Sequence, residues 1–289
     1  MLIIATPKSI PEIVDLKAAQ VDGLVFSSER FTRDPLLPLA EYDLFKAISA
    51  CQSHGLRAYV MVDAIIHETD LKPLKQLLAG LSSQDIDGIV AYDLTTALLA
   101  ADLGLAAKVI FQPGTFNTHP HAFDQLRALG INQATLSREI TFAKIREIME
   151  TNKDIAFSLV GHGYLDMFYS QRKLLTLFHQ YRKREFAKDG AYALAEKQAP
   201  DRLYPISEDA TGTHIYRSRK LQSFPYLPYL NRHLAELFLS RHHLDDLEYF
   251  AAITAYKTGD YTAFLERYGG EYDTGFYEVA TDRYPGANP

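Results

Sequence analysis

Ile155-Ala156-Phe157-Ser158-Leu159-Val160 runs directly into Gly161-His162-Gly163. The apolar run reads as a buried strand, covered on both faces as in a parallel sheet. The two glycines allow a sharp turn and let a ligand or another stretch of chain approach closely. Asp166, Ser170, Arg172 and Lys173 follow within a dozen positions. Such a density of polar groups just past a strand end is where α/β proteins keep their chemistry.

Working back toward the N-terminus, six similar units precede this strand. The strand-like runs are Leu2–Ala5, Gly23–Phe26, Arg57–Val62, Gly88–Tyr92, Lys108–Phe111 and Ile131–Leu136. Helical spacing follows each, over Ile10–Gln20, Leu37–His54, Leu71–Leu81, Thr95–Leu103, His121–Leu129 and Thr141–Glu150. Alternation at a pitch of roughly 20–30 residues favours a closed or nearly closed TIM-like βα-barrel of the α/β class. No glycine-rich dinucleotide loop follows the first strand, which weakens an open, doubly wound sheet.

Beyond Ser170 the regularity breaks. Ser170–Ala199 reads as helical and charged, and helices are expected over Leu230–Ser240 and Leu244–Tyr256. Arg202–Ser207 and Thr213–Ser218 read as two strands of a hairpin, because the joint between them holds Asp209 and Gly212. The expected organisation is a barrel over residues 1–169 and an α+β extension over 170–289.

The chain has 289 residues, 47% of them apolar, and a formal net charge of −6. That balance argues against a surface coated for nucleic acid. A local basic cluster exists at Arg172, Lys173, Arg182, Lys183, Arg184 and Lys188, and reads first as a solvated helix face. Cys51 is the only cysteine and falls in a helical apolar pattern. A buried, inert thiol is expected there, and no thiolate cluster can be built from this chain alone. The start lacks a basic leader and no run reaches membrane-spanning length, so a cytoplasmic protein is the default expectation.

In a βα-barrel the chemistry gathers at the C-terminal strand ends. Those ends supply Arg30, Asp63, Asp93, Gln112, Arg138, Glu139 and His162. Arg30 and Arg138 are candidates for a carboxylate-binding pair, since a guanidinium fork matches a carboxylate with two hydrogen bonds. Asp63, Asp93, Glu139 and His162 are the candidates for proton transfer. Each has a plainer alternative: helix capping for the aspartates, neighbour pairing for Arg138 and Glu139, and a backbone-bonded structural role for His162. His119 and His121, with His67, are better read as loop residues than as metal ligands. Ser170 lacks the Gly-x-Ser-x-Gly elbow of a nucleophilic serine.

Together these residues resemble a family. Ser137-Arg138-Glu139-Ile140, Asp63-Ala64-Ile65-Ile66-His67, Asp93-Leu94, His162-Gly163 with Tyr169-Ser170, Asp209 with Gly212-Thr213-His214, Arg241, and Gly275-Phe276 are similar to segments of the collagenase-like peptidases, family U32. Asp166 and Lys173 stand where the family motif has cysteines. Ser158 replaces a glutamate, and Leu239-Ser240 replace a Glu-Gly step.

The resemblance implies a barrel whose cysteine-bearing members hold an iron–sulfur cluster and take part in prephenate-dependent hydroxylation of the tRNA wobble uridine. This chain resembles the cysteine-poor member of a paralogous pair, with no cofactor of its own. The expected role is a non-cluster subunit bound to a cysteine-bearing paralogue or to itself, meeting tRNA indirectly and offering a small carboxylate pocket. The expected catalytic set is His162, Asp166, Glu139, Asp93 and Asp63; the expected binding set is Arg30, Arg138, Gln112, Ser170 and Arg241. A peptidase and a non-catalytic scaffold are the alternatives.

Overall fold

The computed structural model describes residues 1–33, 36–183 and 191–279. In chain order the first part contains β1 (Leu2–Ala5), α1 (Ile13–Ala18), β2 (Gly23–Ser28), a two-residue β3 (Pro38–Leu39), α2 (Glu41–Ser53), β4 (Arg57–Val62), α3 (Leu71–Ser82), β5 (Gly88–Ala91), α4 (Leu94–Asp102), β6 (Val109–Phe111), α5 (Asp124–Ala128), β7 (Gln133–Thr135), α6 (Phe142–Thr151) and β8 (Ala156–Gly163). Then come β9 (Asp166–Ser170), α7 (Leu174–Arg182), β10 (Tyr192–Glu196), β11 (Ala199–Glu208), β12 (Thr213–Tyr216), β13 (Lys220–Gln222), α8 (Leu227–His233), β14 (Glu236–Leu239), α9 (Asp246–Thr258), α10 (Thr262–Tyr268) and β15 (Tyr272–Asp273).

Eight of these strands close a parallel barrel in the order β1, β2, β4, β5, β6, β7, β8, β14. Closure comes from β14, which pairs with β8 (Leu237↔Leu159) and with β1 (Ile3↔Leu237). Alternation along the strands sorts their side chains. Ile4, Val25, Tyr59, Val90, Ile110 and Phe238 fill the interior, and Tyr59 meets Phe238 edge-on at 6.0 Å. Their neighbours face outward under the helices in a second, larger core that includes Leu24, Leu44, Leu78, Ile145 and Ile253. Burial on both faces explains why the strand runs are apolar throughout, each large side chain contributing about 1.5–3 kcal/mol.

Between β8 and β14 the chain builds a four-stranded antiparallel sheet, β10-β11-β12-β9. The expected hairpin is its centre: β11 and β12 pair through Ile206↔Ile215 and Glu208↔Thr213. Asp209 forms the turn, its Oδ1 accepting from the backbone N–H of Thr211 and Gly212.

Two expectations fail here. The helix read over Leu230–Ser240 is instead α8, ending at His233, followed by strand β14. A short apolar run suits either period, and the gap between β1 and β8 demands a strand. The barrel therefore takes its eighth strand from beyond residue 169. Tyr192–Glu196, expected to be helical, is strand β10, because pairing with β11 overrides the helix preference of its alanines. Arg184 and Lys188 of the basic cluster lie outside the described residues.

The glycines flanking His162 serve the protein's own chain. A Cβ at Gly161 would stand 2.9 Å from Leu237 Cγ, and one at Gly163 would overlap the Ser240 carbonyl. Gly163 also has a φ of +91°, where L side chains are strained. Both positions let β14 lie close against β8.

Candidate functional site

The C-terminal mouth of the barrel holds a cavity that opens to solvent, with about 950 Å³ of empty space when its open mouth is counted. Its floor is the interior of the barrel, with Val25, Met61, Val160 and Phe238 exposed to it. Its roof is the four-stranded sheet, which contributes Asp166, His214 and Tyr216. Arg33, Asp63, Tyr92 and Arg138 form the charged wall.

Arg33 is fixed by the segment that follows β2. Asp63, just past β4, accepts from the Thr32 hydroxyl at 2.8 Å and the Arg33 backbone N–H at 2.9 Å. The guanidinium then lies 3.6 Å from Asp63 Oδ2 and 3.9 Å from Asp166 Oδ2. It is sandwiched between the rings of Tyr92 (4.1 Å) and Tyr169 (4.8 Å). Burial alone would lower its pKa; Asp63 and Asp166 outweigh that and hold the group above its ordinary value.

Arg138 is the contrasting cation. Its Nε is buried without a hydrogen-bond partner, and no ion pair closes on it among the described residues. Burial pushes its pKa below the ordinary arginine value; Asp166 opposes this and Arg33 reinforces it. Gly114, at φ +76°, keeps space open here: a Cβ would come 3.2 Å from Tyr92 and 3.4 Å from Arg138 Nη2. Gln112 donates to Thr135 Oγ1 at 3.2 Å, and Thr135 shares a 2.7 Å hydrogen bond with Ser158, a polar string descending into the barrel. His214 is buried in the roof, tilted against Tyr169 at 4.8 Å, with Nε2 3.4 Å from Thr211 Oγ1 and 3.9 Å from Asp209.

Of the residues expected at the site, Asp63, Gln112, Arg138 and Asp166 line this cavity. The others sit elsewhere. Arg30 points to solvent, 3.4 Å from Asp70. Asp93 caps α4, its Oδ1 accepting from the Thr95 N–H at 2.7 Å. Glu139 borders a separate surface hollow with Thr115 and Lys144. Ser170 accepts from the Arg172 backbone N–H. Arg241 is buried in ion pairs with Glu12 (2.7 and 2.8 Å) and Asp246 (2.7 Å), tying β14 to the start of α1 and α9.

His162 departs furthest from expectation. It lies on the outer face of β8, fully buried among Phe224, Tyr256, Phe264 and Tyr272. Burial, aided by Lys220, pushes its pKa down to about 3. Tyr272 donates to Glu248, so its hydroxyl oxygen accepts from His162 Nε2–H at 3.2 Å, and Nδ1 carries the bare lone pair. The ring is a neutral part of the packing beneath the helices.

Sequence reasoning missed Arg33 and the aromatic faces of Tyr92 and Tyr216. Arg33 stands three positions past Arg30, and the intervening Phe31 is buried. A buried Phe31 turns the segment inward, which was the signal for the second arginine.

A cysteine-ligated cluster does not fit this chain. Its single thiol, Cys51, is buried on the inner face of α2, donating to the Arg57 carbonyl, with its pKa pushed up to about 12 by burial. Among the described residues no three metal-ligating side chains converge; His67 instead contacts Gln171, and His121 pairs with Asp124. No described helix is long and apolar enough to cross a membrane. Chemically, the mouth offers two guanidinium groups, two carboxylates and aromatic walls around an apolar floor, suited to a small anion with an apolar body.

Residues 13–258 match the model of peptidase family U32. The chain is 27% identical over 218 residues to tRNA hydroxylation protein P2 of Bacillus subtilis, covering 74% of this chain and 70% of that protein. It is 23% identical over 183 residues to a collagenase of Porphyromonas gingivalis, covering 60% of this chain and 42% of that one. The solved structure of the U32 peptidase Mk0906 aligns over 83% of this chain and 92% of its own, with 14% identity and a TM-score of 0.48.

Proposed function

Because this chain belongs to peptidase family U32, we propose that it is a non-cluster subunit of a prephenate-dependent complex that hydroxylates the tRNA wobble uridine. The observation that carries this reading is its likeness to a tRNA hydroxylation protein along most of both chains. The absence of cluster-forming cysteines supports a division of labour, in which a cysteine-bearing paralogue holds the redox centre and this chain contributes a binding pocket. The Arg33 and Arg138 guanidinium groups, set in an apolar mouth, give that pocket its affinity for a small carboxylate such as prephenate.

The test is affinity purification of the tagged chain from its native host, together with wobble-uridine analysis in a deletion strain. Co-purification of a cysteine-bearing paralogue and loss of the hydroxylated nucleoside are expected. Recovery of the chain alone, with modification unchanged, would sink the proposal. Gelatin cleavage by the purified chain, abolished in Asp166→Asn, would favour a peptidase instead. Unchanged modification with no cleavage would favour a binding scaffold.

A further inference from the structure

No aspartate or glutamate occurs between Met167 and Lys183, although the chain as a whole has a net charge of −6. The stretch holds Arg172, Lys173, Arg182 and Lys183 instead, all exposed. Cations on other helices close on nearby carboxylates, as Lys144 does on Glu147 and Arg146 on Glu150. These four form no ion pair among the described residues. Between them, Leu174, Leu177, Phe178 and Tyr181 recur at the spacing of an apolar helix stripe, which ordinarily faces a core. Here the stripe faces water: Phe178 is 56% and Tyr181 83% exposed.

The helix itself is firmly seated on the antiparallel sheet. Glu208 accepts from the backbone N–H groups of Leu175 at 2.8 Å and Thr176 at 3.2 Å. Leu175 is buried, and the His179 ring lies 5.8 Å from that of Tyr192. Phe168, 45% exposed, belongs to the same face of the sheet. It pairs with Ile215, Ile215 with Ile206 and Ile206 with Tyr192, and cross-strand partners share a face. Tyr169 and His214 turn the other way, toward Arg33 and the cavity.

We infer that this outer face, α7 with Phe168 beside it, binds single-stranded nucleic acid. Phe178, Tyr181 and Phe168 stack on unpaired bases, and the four cations hold the phosphates. Charge complementarity selects a polyanion. A helix of nine residues offers too little apolar area to hold a chain in a lipid surface, whereas its rings match flat, stackable bases. The face shares no residue with the cavity lining, and it gives the chain a direct contact where the family resemblance implied only an indirect one.

Fluorescence anisotropy of the full chain with a labelled single-stranded RNA of about twelve nucleotides, its DNA counterpart and the RNA duplex tests this. Both single strands should bind more tightly than the duplex; a further preference for RNA would add contacts to the 2′-hydroxyl. Tyr181→Ala should weaken binding at least about fivefold, the loss of one stacked base, with an unchanged melting temperature because the ring is exposed. Four phosphate contacts give a slope of about −3 in log affinity against log salt, and Arg182→Glu with Lys183→Glu should bring it to about half that. Equal affinity for duplex and single strand, or affinity unmoved by Tyr181→Ala, overturns the stacking site. Binding to none of the three, or sedimentation with phosphatidylserine vesicles alone, overturns the nucleic-acid face altogether. The purified chain is measured by itself, so neither result decides whether a paralogue co-purifies with it.

Discussion

Arg138 and His162 show two opposite uses of a buried polar side chain. Arg138 carries a charge that no ion pair closes on among the described residues, and a desolvated, unpaired cation costs stability. Arg138→Met keeps the stem and removes the charge. We expect stability to rise by about 1 kcal/mol in chemical denaturation while carboxylate affinity falls at least about tenfold, the trade common at binding sites. His162 is neutral when folded, with a pKa of about 3 against an ordinary 6.5. The unfolded chain therefore binds a proton that the folded one refuses between those values, so stability is full above about pH 6.5 and falls as the pH drops toward 3. Melting temperatures at pH 7 and pH 4 should show a smaller acid loss in His162→Phe than in the wild type. The phenylalanine keeps the aromatic packing, and Tyr272 retains its 2.8 Å hydrogen bond to Glu248.

At the scale of elements, β14 matters most. It is only four residues long, yet it joins the two ends of the barrel sheet. Arg241, two residues past it, anchors that strand through Glu12 ahead of α1 and Asp246 at the start of α9. Arg241 and Glu12 are 3% and 7% exposed, so removing the arginine strands a buried carboxylate. Arg241→Met should cost about 3–5 kcal/mol. Adding Glu12→Gln should recover part of that loss, measured as a double-mutant cycle. Ligand affinity in the folded fraction should remain, because Arg241 does not border the cavity. The antiparallel sheet plays the complementary part: the Asp209 turn sets the register of β11 and β12, and that register places His214 and Tyr216 over the mouth.

At the scale of the whole molecule, the fold is one barrel interrupted by an insertion. A chain ending at residue 169 would leave the edges of β1 and β8 unpaired, with the apolar faces of Ile3, Ile4, Phe157 and Leu159 uncovered. Such open edges template association. The fragment 1–169 should be insoluble or oligomeric on size-exclusion chromatography, while the full chain gives a folded species. The same topology forms the cavity, since the roof is built only after β8 and the wall before it.

The sequence alone was enough to specify the repeating βα units, because strands buried on both faces must be apolar and helices must show a stripe. It was also enough to place Asp63, Gln112 and Arg138 at strand ends, where the barrel collects polar groups. Tertiary structure decided the rest. Leu234–Leu239 suits either helix or strand locally, and only the open seam between β1 and β8 makes it a strand. His162 and Arg30 sit at strand ends as expected, but the side chain's direction depends on what packs beside it. Aromatic rings enclose the histidine on the outer face of β8, and Asp70 holds the arginine at the surface. Arg33 enters the cavity because buried Phe31 turns its segment inward and Asp63, distant in sequence, receives it.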